Sequence, residues 1–358
     1  MTAATPTTLR PTAVAEPAEP VLEVTNLRAY YQMNFYGVER EVQAVDDISL
    51  AIGRNEIYGL AGESSSGKST LIKTIARAIR PPLNVVGGSV VFNFSCGRYD
   101  IYRLSEEELA AIRWRHLSYI MQGSMSVLNP VKRIRHAFVD FAFRHMSLPG
   151  PAFTRAVEEH LSRLKLDPSV LDAFPHELSG GMRQRVTIAL ATVCRPEFII
   201  ADEPTTALDV VVQKSVLELI REIQRALGSS IVFVTHDMGV HANFTDRLGI
   251  MYAGRLVEEA PTCVLMRAPL HPYTAHLIAS LPRIGDTEPK QGLEGAPPNL
   301  AAPPAGCRFH PRCRLAMDIC RKERPPLLPR RAGHRVACHA VPLAAGGNGT
   351  PATRSLPA

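Results

Sequence analysis

One stretch limits what this chain can fold into more than any other: Gly62-Glu63-Ser64-Ser65-Ser66-Gly67-Lys68-Ser69-Thr70. It fits G-x-x-x-x-G-K-[ST], a loop that cradles phosphates. Its flanks agree with that. Glu56–Ala61 predicts a short buried strand, and Leu71–Arg77 predicts a helix. A strand–loop–helix unit turns successive backbone N–H groups toward one point, and the helix N-terminus adds partial positive charge there. Lys68 is placed to reach the β- and γ-phosphates, and Ser69 to offer its hydroxyl to Mg²⁺. Gly62, Ser64, Ser65, Ser66, Gly67 and Thr70 complete the cradle. The alternative is a Gly/Ser-rich turn that merely looks like the loop.

A chain of 358 residues leaves room for two domains and a large core. The net charge of +6 is carried mostly by arginine. No Lys/Arg run is dense enough for a nucleic-acid arm, so no nucleic-acid partner is expected. No apolar run is long enough to span a bilayer. Residues 1–20 are rich in Ala, Thr and Pro and predict a disordered leader, neither signal peptide nor anchor. A disordered tail is expected at 343–358. Seven cysteines without a secretion signal argue for reduced thiols.

Alternating residues between Val21 and Ile52 predict antiparallel strands ahead of the loop. Tyr31 in that stretch is placed either to stack on an adenine ring or to pack inside a hairpin. Val85 to Ile101 predicts further β structure. Ser105, followed by Glu106-Glu107-Glu108, opens a helix. Leu117–Met121 predicts a buried strand ending at Gln122, an amide aimed past the sheet's carboxyl edge. His136 to Ala173 is predicted helical.

In Leu178-Ser179-Gly180-Gly181-Met182-Arg183-Gln184, the Ser and two glycines sit at a helix start and form a second anion site. Phe198–Glu203 is an apolar strand ending in two carboxylates. Asp202 suits a water-mediated Mg²⁺ contact, and Glu203 suits orienting and deprotonating water. Ala207-Leu208-Asp209 leads into a helix through Leu227. Ile231–Asp237 is a strand whose end carries His236.

In this order and spacing, from about Val21 to Glu259, the motifs resemble the ATP-binding subunit of an ATP-binding-cassette (ABC) transporter. Gly62–Thr70 matches its Walker A loop, Gln122 its Q-loop and Leu178–Gln184 its signature. Phe198–Glu203 matches Walker B, Ala207–Asp209 the D-loop and His236 the switch histidine. Met125–Val131, Phe174–Arg185, Asp202–Val210 and His271–Thr274 are similar to the oligopeptide/dipeptide importers. Ser65 stands where that family usually has Gly, and Gly123-Ser124 where it usually has Asp-Pro.

The resemblance implies an α/β fold of the ABC ATPase type: a mixed core sheet, an antiparallel β part and a helical subdomain at about 124–178, all within 21–260. It implies an ATPase of the inner face of the cell membrane that energises import of di- or oligopeptides. Its cofactors are ATP and Mg²⁺, with Ser69, Gln122 and Asp202 toward the metal. Glu203, His236 and Gln122 are its catalytic group, and Ser179, Gly180, Gly181, Gln184 and Asp209 complete a nucleotide site across subunits. Its partners are a second ATPase, as a heterodimer, two permease subunits and an extracytoplasmic binding protein. The rivals are another cargo (nickel, oligosaccharide), a soluble ABC ATPase of translation or repair, and an iron–sulfur redox protein with an incidental nucleotide site.

Residues 261–342 form the C-terminal extension. Cys307, Cys313, Cys320 and Cys338 run C-x5-C-x6-C-x17-C within it. Four thiolates in a Pro- and Arg-rich tail suggest a metal nucleus. Zinc sites usually contain a C-x2-4-C knuckle, absent here, whereas iron–sulfur clusters accept wider spacing. A [4Fe–4S] cluster, Zn²⁺ or no metal are all open, and the resemblance points to the first. Cys96, Cys194 and Cys263 are expected to be buried thiols.

Overall fold

The computed structural model describes residues 19–35, 37–121, 127–206, 208–281 and 292–342. Gln122 with Gly123 and Ser124, Ala207, the 343–358 tail and all but the last two residues of the leader lie outside the described residues.

The chain contributes strands to two sheets. They are β1 (Leu22–Phe35), β2 (Val38–Ile52), β3 (Ile57–Ala61), β4 (Leu83–Phe94), β5 (Gly97–Asp100) and β6 (Leu117–Ile120), then β7 (Phe198–Asp202), β8 (Ser230–Val234), β9 (Arg247–Tyr252), β10 (Arg255–Pro261), β11 (Leu328–Arg331) and β12 (His334–Val336). One sheet runs β2-β1-β4-β5, antiparallel throughout. The other runs β11-β12-β10-β9-β3-β8-β7-β6. Its β9, β3, β8, β7 and β6 are parallel. The mixed α/β architecture is the one the motifs imply.

β3, β7 and β8 are buried at every residue, as apolar strands covered on both faces must be. Their alternation divides the interior. Phe198, Ile200, Val232 and Val234 face the antiparallel sheet and share a core with Leu71, Ile72 and Ile75 of helix Lys68–Ile75. Ile199, Ala201, Ile231 and Phe233 face the other way, onto the helical lobe with Leu161, Leu164, Leu166 and Val186. A third core joins β9 and β10 to Tyr273 and Phe309 of the C-terminal region.

Ser105 caps its helix with the full reciprocal box: its hydroxyl accepts from Glu108 N, and the Glu108 carboxylate accepts from Ser105 N. The expected helical stretch from His136 is real but interrupted. Helix Ile134–Phe138 passes into a π-turn at Val139–Phe143. The chain then turns at Ser147 (φ 51°) and restarts behind Pro149 as helix Gly150–Arg163. Proline at the helix start sets that restart.

The C-terminal extension is built onto the main sheet. β12 pairs with β10, and β11 covers β12. Two wholly buried carboxylates sit beneath this hairpin. Glu258 accepts from His334 Nε2 at 2.7 Å, and Glu259 from Arg335 Nη1 at 2.9 Å. The buried-thiol expectation fails for Cys96 and Cys263, which are exposed; Cys194 is half-buried. Cys96 sits in the turn between β4 and β5, and Cys263 on the outer side of helix Thr262–Arg267.

Candidate nucleotide site

The parallel strands deliver their carboxyl ends to one edge of the sheet, where open α/β sheets bind ligands. β3 ends there in the phosphate loop, β7 in Asp202 and Glu203, and β8 two residues short of His236.

Backbone geometry explains the loop's glycines. Gly62 has φ 148°, and a Cβ on it would lie 2.2 Å from Met251 O. Gly67 has φ 101°, and its Cβ would lie 2.0 Å from Ala44 O. Ser65 takes φ 64°, the left-handed region that glycine occupies freely. Holding a serine there costs about 1 kcal/mol. Ser64, Ser65 and Ser69 are exposed, while Ser66 and Thr70 are buried. Helix Lys68–Ile75 has no side-chain cap and no acidic residue in its first turn. Its first N–H groups are therefore left to an anion.

Lys68 is 8% exposed, and its Nζ donates to Gly62 O at 2.8 Å and Glu63 O at 2.9 Å. Burial lowers its pKa, and the negative charges of Glu203, Asp202 and Glu63 oppose that. The ammonium thus lies in the field of the carboxylate pair at the end of β7.

Asp202 is buried. Tyr119 donates its hydroxyl to Asp202 Oδ2 at 3.0 Å, while Oδ1 is buried with no partner. Burial raises the carboxyl's pKa, Tyr119 and the lysines Lys73 and Lys68 work against that, and Glu203 adds to it. An orphaned carboxylate oxygen beside the loop fits a hydrated divalent cation, with Ser69 as the hydroxyl donor. Gln122, the third expected ligand, lies outside the described residues.

Glu203 follows with φ 46°, and its N–H donates to Val234 O at 2.9 Å. This ties the ends of β7 and β8 together. Its Oε2 accepts from Thr206 Oγ1 at 2.8 Å, and its Oε1 lies 3.5 Å from His236 Nδ1. The imidazole is 70% exposed. A carboxylate fixed on one oxygen and paired with an exposed histidine on the other suits a base that positions water.

Tyr31 is half-buried on β1, with its hydroxyl 3.3 Å from Thr70 Oγ1. That sets an aromatic ring beside the loop's helix. Ser179 caps helix Gly180–Thr192, accepting from Met182 N at 3.3 Å, and is exposed. Gly181 faces Val212, Gln184 is buried and donates to Pro204 O, and Leu178 and Val186 belong to the helical-lobe core. The signature therefore rides on the helical lobe and the loop on the core between the sheets. Asp209 accepts from Val211 N and Val212 N, capping its own helix, Val210–Leu227.

The tail cysteines are mutual neighbours. Cys307 N donates to Cys320 O at 2.9 Å, and the Cys307 thiol feels Cys320, Cys338 and Cys313. Burial pushes that thiol up to about 11 and also raises Cys313 and Cys338. Among the described residues, no three His, Cys, Asp or Glu side chains are grouped to hold a metal ion. Hydrogen bonds and the packing of Phe309 order this segment.

Tyr119 on Asp202 and Arg312 on the phosphate loop lie in no motif, while Thr206 on Glu203 and Tyr273 on the loop lie in the stretches Asp202–Val210 and His271–Thr274, which gave them no role. Tyr119 had one readable signal, since it lies three residues before the expected Gln122 on a strand parallel to β7.

A G-x-x-x-x-G-K-[ST] loop opening a helix beside a buried carboxylate with one unpartnered oxygen, and a Ser-Gly-Gly helix start on the other lobe, fit an ATP-binding cassette ATPase. Residues 45–206 match the ABC transporter family, and residues 257–320 match the C-terminal region of oligopeptide/dipeptide transporters. The chain is 38% identical over 322 residues to the dipeptide transport ATP-binding protein DppD of Caldanaerobacter subterraneus subsp. tengcongensis, covering 89% of this chain and 96% of that protein. It is 39% identical over 336 residues to the oligopeptide transport ATP-binding protein OppD of Salmonella typhimurium, covering 91% and 96%. A dimeric bacterial ABC transporter cassette superposes with TM-score 0.58 at 26% identity, covering 67% of this chain and 98% of that one. The same cassette, dimeric and bound to ADP and Pi, gives 0.57. This chain belongs to the ATP-binding proteins of ABC transporters, in the branch with the oligopeptide/dipeptide C-terminal region. It is an ATPase, and no helix among its described residues is long and apolar enough to cross a membrane.

Proposed function

We propose that this chain hydrolyses ATP to energise import of di- or oligopeptides through separate permease subunits. The observation that carries the ATPase assignment is the meeting of the phosphate loop, Asp202, Glu203 and His236 at one sheet edge. The cargo class is supported by the match over residues 257–320.

In this mechanism the loop amides and Lys68 hold the β- and γ-phosphates, and Tyr31 flanks the base. Ser69 and Asp202, with Gln122, would hold Mg²⁺, which neutralises phosphate charge when bound. Glu203 takes the proton of the attacking water, and His236 supports it. Ser179, Gly180 and Gly181 cover the γ-phosphate bound by a second ATPase, arranged head to tail. Gln184 supports that segment from behind, and Asp209 lies at the same junction. Val210 and Val211, 80% and 79% exposed, favour a partner surface there. The assembly is a heterodimer on two permeases at the inner membrane face, fed by an extracytoplasmic binding protein. A [4Fe–4S] cluster on Cys307, Cys313, Cys320 and Cys338, with zinc as the alternative, is supported by the closeness of the four thiols. Iron and zinc determination on anaerobically purified protein decides between them.

The test is reconstitution with its permease subunits in liposomes. ATP hydrolysis should rise with binding protein plus peptide. Stimulation by an oligosaccharide or nickel complex and not by any peptide would overturn the cargo assignment.

A further inference from the structure

Glu63, the second residue of the phosphate loop, is held on every polar group it has. Its carboxylate takes a two-pronged contact from Arg312, Nη1 to Oε2 at 2.8 Å and Nη2 to Oε1 at 3.1 Å. Its N–H donates to the Tyr273 hydroxyl at 2.8 Å. Its carbonyl accepts from Lys68 Nζ at 2.9 Å and Ser66 N at 3.1 Å. Two of these grips come from the loop itself. The other two come from the C-terminal region.

An exposed ion pair contributes little, because water screens it and both side chains lose freedom. This pair differs. The Arg312 side chain is 7% exposed and that of Glu63 23%. Arg312 is fixed on its remaining sides as well: Nε donates to Glu294 O at 3.1 Å, and the guanidinium lies 5.9 Å from the centre of the Tyr252 ring. Tyr273 is fully buried. A planar fork locked in place fixes direction as well as charge.

We propose that Arg312, with Tyr273, is a positioning residue for nucleotide binding, setting the phosphate loop through Glu63. The peptide unit that carries Glu63 O is one of the two backbone anchors of Lys68 Nζ. Arg312 touches no phosphate. It acts by holding that anchor, so that the ammonium and the amides that follow are already arranged when the triphosphate arrives. Preorganisation of this kind appears in binding rather than in the chemical step. The C-terminal region thereby completes the loop, in addition to whatever contacts it makes elsewhere.

This inference rests on the nucleotide-loop assignment, and the experiment separates the two. Mant-ATP, a fluorescent ATP analogue, is titrated against the full chain and its variants. Arg312→Ala and Glu63→Gln should each weaken binding about tenfold, and the double variant should be no weaker than the worse single one. Arg312→Lys, which keeps the charge but not the fork, should fall between. In the assembled transporter Arg312→Ala should raise KM for ATP and leave kcat at saturation nearly unchanged. Glu63→Gln lies on the loop and carries the test alone if Arg312→Ala does not fold. Wild-type affinity in Glu63→Gln, additive losses in the double variant, or a fall in kcat at constant KM would each overturn the proposal. If Lys68→Ala also binds mant-ATP like wild type, the loop assignment itself fails. If only Lys68→Ala loses binding, the loop stands and Arg312 has no such role.

Discussion

Tyr119 on β6 donates to Asp202 at the end of β7, 3.0 Å away, and leaves the second carboxylate oxygen buried and unpaired. One oxygen is thus fixed by the protein, and the other is the one the proposed mechanism gives to Mg²⁺. Groups that orient a metal-binding carboxylate matter nearly as much as the ligand itself. Tyr119→Phe should weaken the Mg²⁺ dependence of ATP hydrolysis about tenfold, with recovery at high Mg²⁺. An Mg²⁺ titration identical to wild type would refute that role for Tyr119.

Glu203→Gln keeps size and loses the base. Hydrolysis in the assembled transporter should fall roughly 10²-fold or more, while nucleotide binding persists. Turnover within a few-fold of wild type would remove Glu203 from the mechanism.

Ser179→Arg tests the division of labour between subunits. In the complex it should cripple the site built on the partner's phosphate loop. Binding of ATP at this chain's own Lys68 should be nearly unchanged, since the signature rides on the other lobe. Loss of ATP binding in isolated, demonstrably monomeric Ser179→Arg would mean the motifs act within one chain.

His241 should make the fold acid-sensitive. It is fully buried, its Nε2 faces Thr235 O at 3.2 Å, and Nδ1 has no partner. A carbonyl accepts only, so the ring is the Nε2–H tautomer, and a second proton would be an unpaired buried charge. Burial lowers its pKa from 6.5 to about 4. Between those values the unfolded chain binds a proton that the folded chain does not. Stability from this residue is therefore complete above 6.5 and is lost as pH falls toward 4. His160 and His271 are lowered the same way and add to the slope. His241→Gln should reduce the proton uptake on unfolding at pH 5 by about one. An unchanged slope of unfolding free energy against pH in that variant would contradict this.

What was legible in the chain followed contiguity. The phosphate loop, the signature and the ends of β7 and β8 are short runs whose chemistry needs neighbours in sequence. Parallel strands then bring the runs to one edge with no further instruction. Alternation gave the antiparallel sheet, and acidic residues behind Ser105 marked a real helix cap. What escaped were pairings across long separations. Glu63 and Arg312 are 249 positions apart, and nothing local in either marks the other. The interrupted helix after Ile134 escaped because periodicity does not register a π-turn. Cys96 and Cys263 misled because apolar character alone does not say which side of a hairpin or helix faces in. For the tail, spacing announced a cluster of cysteines and not the burial that surrounds them.

The hairpin of β11 and β12 also has a bearing on solubility. β10 is buried along nearly its whole length and would otherwise be the last strand of the sheet. Left bare, it would offer a row of unpaired amides and carbonyls, the template on which foreign chains add. The hairpin moves that boundary outward to β11, a strand of four residues containing Pro329, Arg330 and Arg331. Such a strand is short, charged and short of one N–H, so it is a poor template. Cutting the chain after Pro261 would expose the β10 edge and strip His334 and Arg335 from Glu258 and Glu259. The shortened cassette would be a precipitating protein before it was an inactive one.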